Sequence, residues 1–239
     1  MGLQISSWAF WSPRTNDPFA WCEHLGEEEC RVAPRDVPSD LIPASHRRRM
    51  SVLSRMAVQV ALQASSEPHP DFLVFCSQHG EFVRTRRLLD DIANGIELSP
   101  AEFSQSVHNT SAGLYAIIAD TRAAASCIAS GASTFASAWL EAEAILDEHP
   151  DSRVLLVDHD DMLPPEYASF TDRAQHAYAV ALLLSRAPDA GVRLDLAQPD
   201  DEFGHPMGPH FLAWWLSTEP VLAITAESQS FTWTRNVES

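Results

Sequence analysis

The stretch from Ser104 to Leu146, SQSVHNTSAGLYAIIADTRAAASCIASGASTFASAWLEAEAIL, constrains this chain more than any other. It is almost free of charge between Val107 and Leu140, and it is dense in Ala, Ser and Gly. Small side chains let backbones approach closely, and Gly113 and Gly131 permit turns that other residues resist. A solvated surface segment would carry more charge. The pattern predicts a helix over Ser111–Ala119, a strand over Arg122–Cys127, a sharp turn, and a long helix over Gly131–Leu146. Such a segment belongs at the centre of a core, at a subunit interface, or at both, and we expect both.

The flanking sequence alternates strands and helices. Leu3–Trp11 reads as a first strand, stopped by Ser12-Pro13 and Asp17-Pro18. Residues 12–43 are rich in Pro and Glu and predict a long surface excursion, with a short helix near Phe19–Leu25. Trp8, Trp11 and Trp21 would anchor it to the core. Ser45 is expected to cap a helix running to about Ala64, with Met50, Leu53, Ala57 and Val60 on one buried face. Arg47, Arg48 and Arg49 lie at its start, as a solvated first turn or as a contact for an acidic partner. Phe72–Cys76 is a short continuous apolar run, as in a buried parallel strand. Ser77 and His79 follow at its mouth, where α/β proteins commonly place ligands.

A helix is expected over residues 82–95, ended by Asn94-Gly95, and a turn over Leu98–Phe103. Beyond the central stretch, Arg153–Val157 and Tyr178–Ser185 read as buried strands. Asp158-His159-Asp160-Asp161 reads as a solvated loop rather than a metal cluster, since four adjacent residues cannot all point inward. Gly191–Leu196 and Val221–Ala226 complete the strands, Pro209–Leu216 is a short helix, and Phe231–Arg235 is expected as a last edge strand. The order is that of an α/β protein.

Composition narrows the function. The 239 residues carry 33 acidic and 16 basic side chains, a formal net charge of −17. That argues against a nucleic-acid partner, which needs a basic face. Cys22, Cys30 and His24 do not have the spacing of a zinc site, and no metal is expected. Cys76 and Cys127 read as free core thiols. No phosphate loop or dinucleotide fingerprint occurs, and no cofactor is expected. The start of the chain has no basic-then-apolar signal pattern, and no run reaches the about 20 apolar residues of a membrane helix. The expected location is the cytoplasm.

Two motifs in the central stretch give a family resemblance. Ser126-Cys127-Ile128-Ala129-Ser130-Gly131 resembles the nucleophile turn of β-ketoacyl synthases, in which a small residue and Ala precede Cys-Ala-Ser-Gly and a helix. His108-Asn109-Thr110-Ser111-Ala112-Gly113 resembles the Pro-Asn-x-x-Ala-Gly segment of that family. Aligning Ala129-Ser130-Gly131 puts Ile128 at the nucleophile position and leaves Cys127 one residue early. The chain is therefore similar to the chain-length-factor partners of ketosynthases, most of all those of aryl-polyene and xanthomonadin-type pigment pathways.

The resemblance implies a thiolase-like fold, layered α/β/α, over Ala44–Ser185, with the second half reduced or missing. It implies one ketosynthase-like domain over residues 1–239. It implies no catalytic nucleophile, and a full-length catalytic β-ketoacyl synthase and an acyl carrier protein as partners. His108, Asn109, Ser111, Ala112, Tyr115, Ile118 and Ile128 would face the dimer seam and the acyl tunnel. Tyr115 is the bulky residue expected at the tunnel, or else an ordinary core aromatic. Decarboxylative condensation needs a thiolate to hold the chain and histidines to assist. Ile128 supplies neither function. The alternative is an independent condensing or acyl-transfer enzyme using Cys127. An exposed apolar seam of this kind would make the isolated chain poorly soluble.

Overall fold

The computed structural model describes residues 2–23, 37–67, 69–170, 176–187, 190–197, 206–226 and 229–236. Three buried apolar runs set its centre. Phe72–Cys76 (β2), Arg153–Asp160 (β4) and Tyr178–Ala187 (β5) are covered on both faces, which is why they read as continuous rather than alternating hydrophobic sequence. Around them, Gly2–Trp11 (β1), Ala124–Ile128 (β3), Gly191–Ala197 (β6), Val221–Ala226 (β7) and Gln229–Asn236 (β8) complete one sheet of order β3-β2-β4-β5-β1-β6-β8-β7. The strands β3, β2 and β4 are parallel to one another. From β4 onward every pairing is antiparallel.

Helices cover both faces, as the α/β/α expectation requires. Val52–Ala64 (α3) and Thr110–Ile118 (α6) pack on one face with Leu73, Phe75, Leu155, Val157 and Leu183. Thr134–Glu148 (α7) and Met207–Leu216 (α8) pack on the other with Val74, Val154, Leu156, Val180 and Leu182. Alternate residues of each strand feed the two cores, which follows from the period of two along a strand. Among the described residues, the remaining α-helices are the short Pro18–Glu23 (α1) and Ala44–Arg47 (α2), the peripheral Phe82–Ala93 (α4), and Pro100–Ser104 (α5). Leu25, the expected end of the first helix, lies outside the described residues. Among the described residues, no helix is long and apolar enough to cross a membrane.

Several expectations are corrected. The helix expected from Ser45 is broken: Ser51, not Ser45, is the cap of α3, and its Oγ accepts the Ser54 N–H at 2.9 Å. Arg47 thus ends α2, and Arg48 and Arg49 lie between α2 and α3. Leu98–Phe103 is not a plain turn but leads into α5, capped by Ser99. The last strand is not an edge: β8 lies between β6 and β7, and β7 is the edge. The edge at the other end is β3, which runs one residue further than expected and so takes in Ile128.

The loop expected at residues 158–161 is largely strand. Asp158, His159 and Asp160 are the buried end of β4. Alternation aims the two aspartates to one face and the histidine to the other, so the three need not converge.

Candidate functional site

The turn after β3 is built by small residues. Gly131 has φ 52°, a left-handed conformation that favours glycine. The Thr134 Oγ1 accepts the Ser130 N–H at 2.9 Å and donates to the Gly131 carbonyl at 2.6 Å, fixing the approach to α7. Ser133 precedes α7 without a side-chain cap bond, although it is buried.

Register decides what the turn presents. Cys76 pairs with Ile128 and Phe75 with Cys127 along β2 and β3. Ile128 packs against the core under α7, whereas Cys127 packs against the core under α3 and α6. The two side chains lie on opposite faces of the sheet, so Cys127 does not substitute for the residue at position 128. Burial also raises the Cys127 thiol pKa above its ordinary value, which disfavours the thiolate.

The expected seam residues divide in two. Asn109 is exposed at the start of α6, and His108, Ile118 and Ile128 are half-buried. Ser111, Ala112 and Tyr115 are buried within the chain itself, which corrects the expectation that they face outward. Tyr115 is 1% exposed, packs on Phe75 with ring centroids 5.9 Å apart, and shares a 2.7 Å hydrogen bond with Ser65 Oγ. It is a core aromatic tying α6 to α3. The outward face of α6 instead carries Asn109, Gly113 and Ile117, spaced by four. Ile117 is 64% exposed, and Phe103, Val107 and Leu140 are exposed as well. The residues of β3 itself are uncharged, small up to Cys127, and at most partly covered. An apolar strand edge with such neighbours is a template for another chain.

A second polar region lies at the ends of β2 and β4. Asp160 accepts from Ser77 Oγ at 2.7 Å and from the backbone N–H groups of Gln78 and His79 at 2.9 and 3.1 Å. His108 Nε2 pairs with the Ser77 carbonyl at 2.9 Å. Asp158 accepts from Tyr178 OH at 3.1 Å, from Cys76 Sγ at 3.4 Å and from the Gly208 N–H at the start of α8. Burial, then the neighbouring Asp160 charge, pushes Asp158 up to about 8, and burial raises Asp160 too. On the opposite face His159 Nε2 sits 3.1 Å from Ser111 Oγ. Burial and then the nearby His108 push its pKa down to about 3. Glu81 accepts from Ser51 and Ser54 at 2.7 and 2.6 Å, and Ser111 donates to Ser54 at 3.4 Å.

Most of these groups are hydrogen-bonded to one another, so the network ties the strand ends together, although His79 Nε2 is buried there without a hydrogen-bond partner. Beside it, between the starts of α3 and α4, is a cavity of about 460 Å³. Arg48, Arg49, Arg84 and Arg87 line it, with Glu81, Glu102 and Asp161. Arg84 is held by Glu81 and Glu102 at 3.7 and 3.6 Å and donates to Gln105 at 3.0 Å.

The sequence reading missed Ile117, the buried pair Asp158 and Asp160, and the gathering of Arg84 and Arg87 with Arg48 and Arg49. The i, i+4 spacing of Gly113 and Ile117 was a usable signal; the aspartates and arginines meet only through the fold. Of the residues considered for zinc, Cys22 is described, while His24 and Cys30 lie outside the described residues. Among the described residues, no group of three His, Cys, Asp or Glu is placed to hold a metal.

Comparison with known proteins now bears on the site. The family model for the N-terminal domain of β-ketoacyl synthase matches residues 19–234. No curated protein matches the chain. A chain in the complex of a ketosynthase (ApeO) with its chain length factor (ApeC) from Xenorhabdus doucetiae is 26% identical. The match covers 98% of this chain and 100% of that one, with a TM-score of 0.85. The ishigamide ketosynthase/chain length factor gives 13% identity over 83% of this chain and 68% of that one, TM-score 0.62. A β-ketoacyl synthase from Burkholderia phymatum gives 14% identity over 82% and 64%, TM-score 0.61. The latter two likenesses speak to fold alone, and all three agree on the thiolase-like architecture. With the family model spanning most of the sequence, the chain belongs to the β-ketoacyl synthase N-terminal domain family.

Proposed function

We propose that this chain is a non-catalytic, chain-length-factor-like partner of a β-ketoacyl-ACP synthase. In this reading it completes the dimer and limits acyl or polyene chain length in aryl-polyene-type pigment biosynthesis. The observation that carries the proposal is at the nucleophile turn. Ile128 is the residue that aligns with the nucleophile in the family motif, and Cys127 packs on the other face of the sheet with its thiol pKa raised. Condensation needs a reactive thiolate, and neither residue offers one there. What remains is a geometric role: a wall that sets specificity by excluding volume.

The partner is a full-length catalytic synthase seated on β3 and on the face of Ile117, Val107 and Phe103. Full-length similarity to a chain of the ApeO–ApeC complex supports this assignment. His108, Asn109, Ile118 and Ile128 border the shared tunnel, and Tyr115 stiffens α6 from behind. The arginine-lined cavity is the local basic surface at which an acyl carrier protein, with its phosphopantetheine arm, would approach an otherwise acidic chain.

The test is reconstitution with the catalytic synthase and carrier protein. Cys127→Ala should leave product formation unchanged, while Ile128→Ala and Ile128→Trp should lengthen and shorten the product. Loss of product with Cys127→Ala would instead mark an enzyme with its own nucleophile. An unchanged length distribution in both Ile128 variants would remove that residue from the wall.

A further inference from the structure

The β3 edge is covered by another chain in the proposed function, and the inference here rests on that reading and asks what chooses the chain. Ser126 is the middle residue of β3. Its hydroxyl donates to Glu141 Oε1 at 2.7 Å, which pins this half-buried carboxylate of α7 over the centre of the unpaired edge. Among the described residues, no Arg, Lys or His forms an ion pair with Glu141. Its neighbours on the outward stripe of α7 are Ser137, Leu140 and Ala144, all uncharged.

A closed pairing of two identical strands is isologous: each group on the axis meets its own copy. Antiparallel pairing of two β3 strands about Ser126 therefore brings two Glu141 carboxylates to one axis. Covering the edge also strips water from the carboxylate, and a carboxylate that loses water without gaining a cation is costly. Like charges opposed in an interface select against that partner. The two chains would in addition each carry a net charge of −17.

We propose that Glu141 is a partner-selecting residue. It disfavours a second copy of this chain on the β3 edge, and it favours a chain of the same fold that presents an Arg or Lys above the middle of its own edge strand. The uncharged edge attracts another chain, and the acid at the axis decides which copy of the fold can stay.

Two measurements test this. The first is sedimentation of the purified wild type, Glu141→Gln and Glu141→Lys at low and high salt. Gln keeps an acceptor for Ser126, so that variant retains the local bond. It should self-associate about tenfold more tightly than the wild type. An equimolar mixture of wild type and Glu141→Lys should form mixed pairs in preference to self-pairs, and salt should erode both effects. Unchanged self-association of Glu141→Gln together with no preference in the mixture overturns the proposal.

The second measurement is capture of a β-ketoacyl synthase from the native host by tagged wild type and tagged Glu141→Lys. Capture weakened about tenfold by the substitution supports the role of Glu141. Equal capture by both overturns that role while leaving the heterodimer reading standing. Capture of no synthase by either overturns the heterodimer reading and, with it, the partner half of this proposal.

Discussion

The strands β3 and β4 flank β2, run parallel to it, and end on the same side of the sheet. Their ends are made of opposite materials. At β3 the residues are uncharged and exposed or half-buried, ending in Ile128. At β4 two aspartates and a histidine are buried, each aspartate fed by three donors. The family resemblance directs attention to β3, yet the density of titratable groups is at β4. The difference teaches that perturbed titration alone does not mark an active site. A buried carboxylate satisfied by backbone N–H groups and hydroxyls organises structure, whereas an edge with few internal ties is free to meet another chain.

Three experiments can break or sharpen this contrast. The largest effect is expected at Gly208. A Cβ there would lie 2.2 Å from Asp158 Oδ2, at the point where α8 donates to that carboxylate. Gly208→Ala should cost about 3 kcal/mol in denaturant unfolding, from overpacking and a strained buried hydrogen bond. Adding Asp158→Ala should recover part of the loss. A Gly208→Ala protein as stable as the wild type would mean that the buried end of β4 makes room for an added methyl group without loss.

The next effect is on pH dependence. Folding raises Asp158 from its ordinary value near 3.8 to about 8, and raises Asp160 in the same direction. Between those values the folded chain holds a proton that the unfolded chain has released. The contribution of Asp158 to stability is thus greatest below about pH 4 and is lost as pH rises toward 8. Cys76, Tyr178, Asp160 and the start of α8 are the groups that face this carboxyl. Urea midpoints should fall between pH 5 and 8. Asp158→Asn should flatten that fall, with Asp160 supplying what remains. A slope unchanged in Asp158→Asn would place the linked proton elsewhere.

The smallest effect is at Cys127. With one face against the α3 and α6 core and no hydrogen-bond role, Cys127→Ala should change stability by about 1 kcal/mol or less. Because burial raises its pKa, its thiol should alkylate several-fold more slowly at pH 8 than a free cysteine. Rapid alkylation would make the β3 end chemically live and close the gap between the two regions.

Much of this was legible in the sequence. Phe72–Cys76, Val221–Ala226 and the helix after Gly131 announced themselves through local hydrophobic period, and their observed bounds differ by only a few residues. The offset between Cys127 and Ile128 was also legible, because one step along a strand changes the face. Other features were not. Asp158-His159-Asp160 looks like a solvated turn until donors from β2, β5 and α8 are brought to it. Ser45 and Ser51 are both plausible caps, and only the packed helix α3 selects Ser51.

The sequence by itself determined most of the strands and helices, and that the turn after β3 resembles the β-ketoacyl synthase motif with Ile128 where that motif has Cys. These are written in neighbouring residues, through side-chain period and turn chemistry. The tertiary structure alone decided that β3 is an unpaired edge while β8 lies inside the sheet. It also decided that Tyr115 faces inward, and that Glu141 is held by Ser126 at the middle of β3. The physical reason is that strand order and burial depend on contacts between distant residues, whose partners no local pattern specifies.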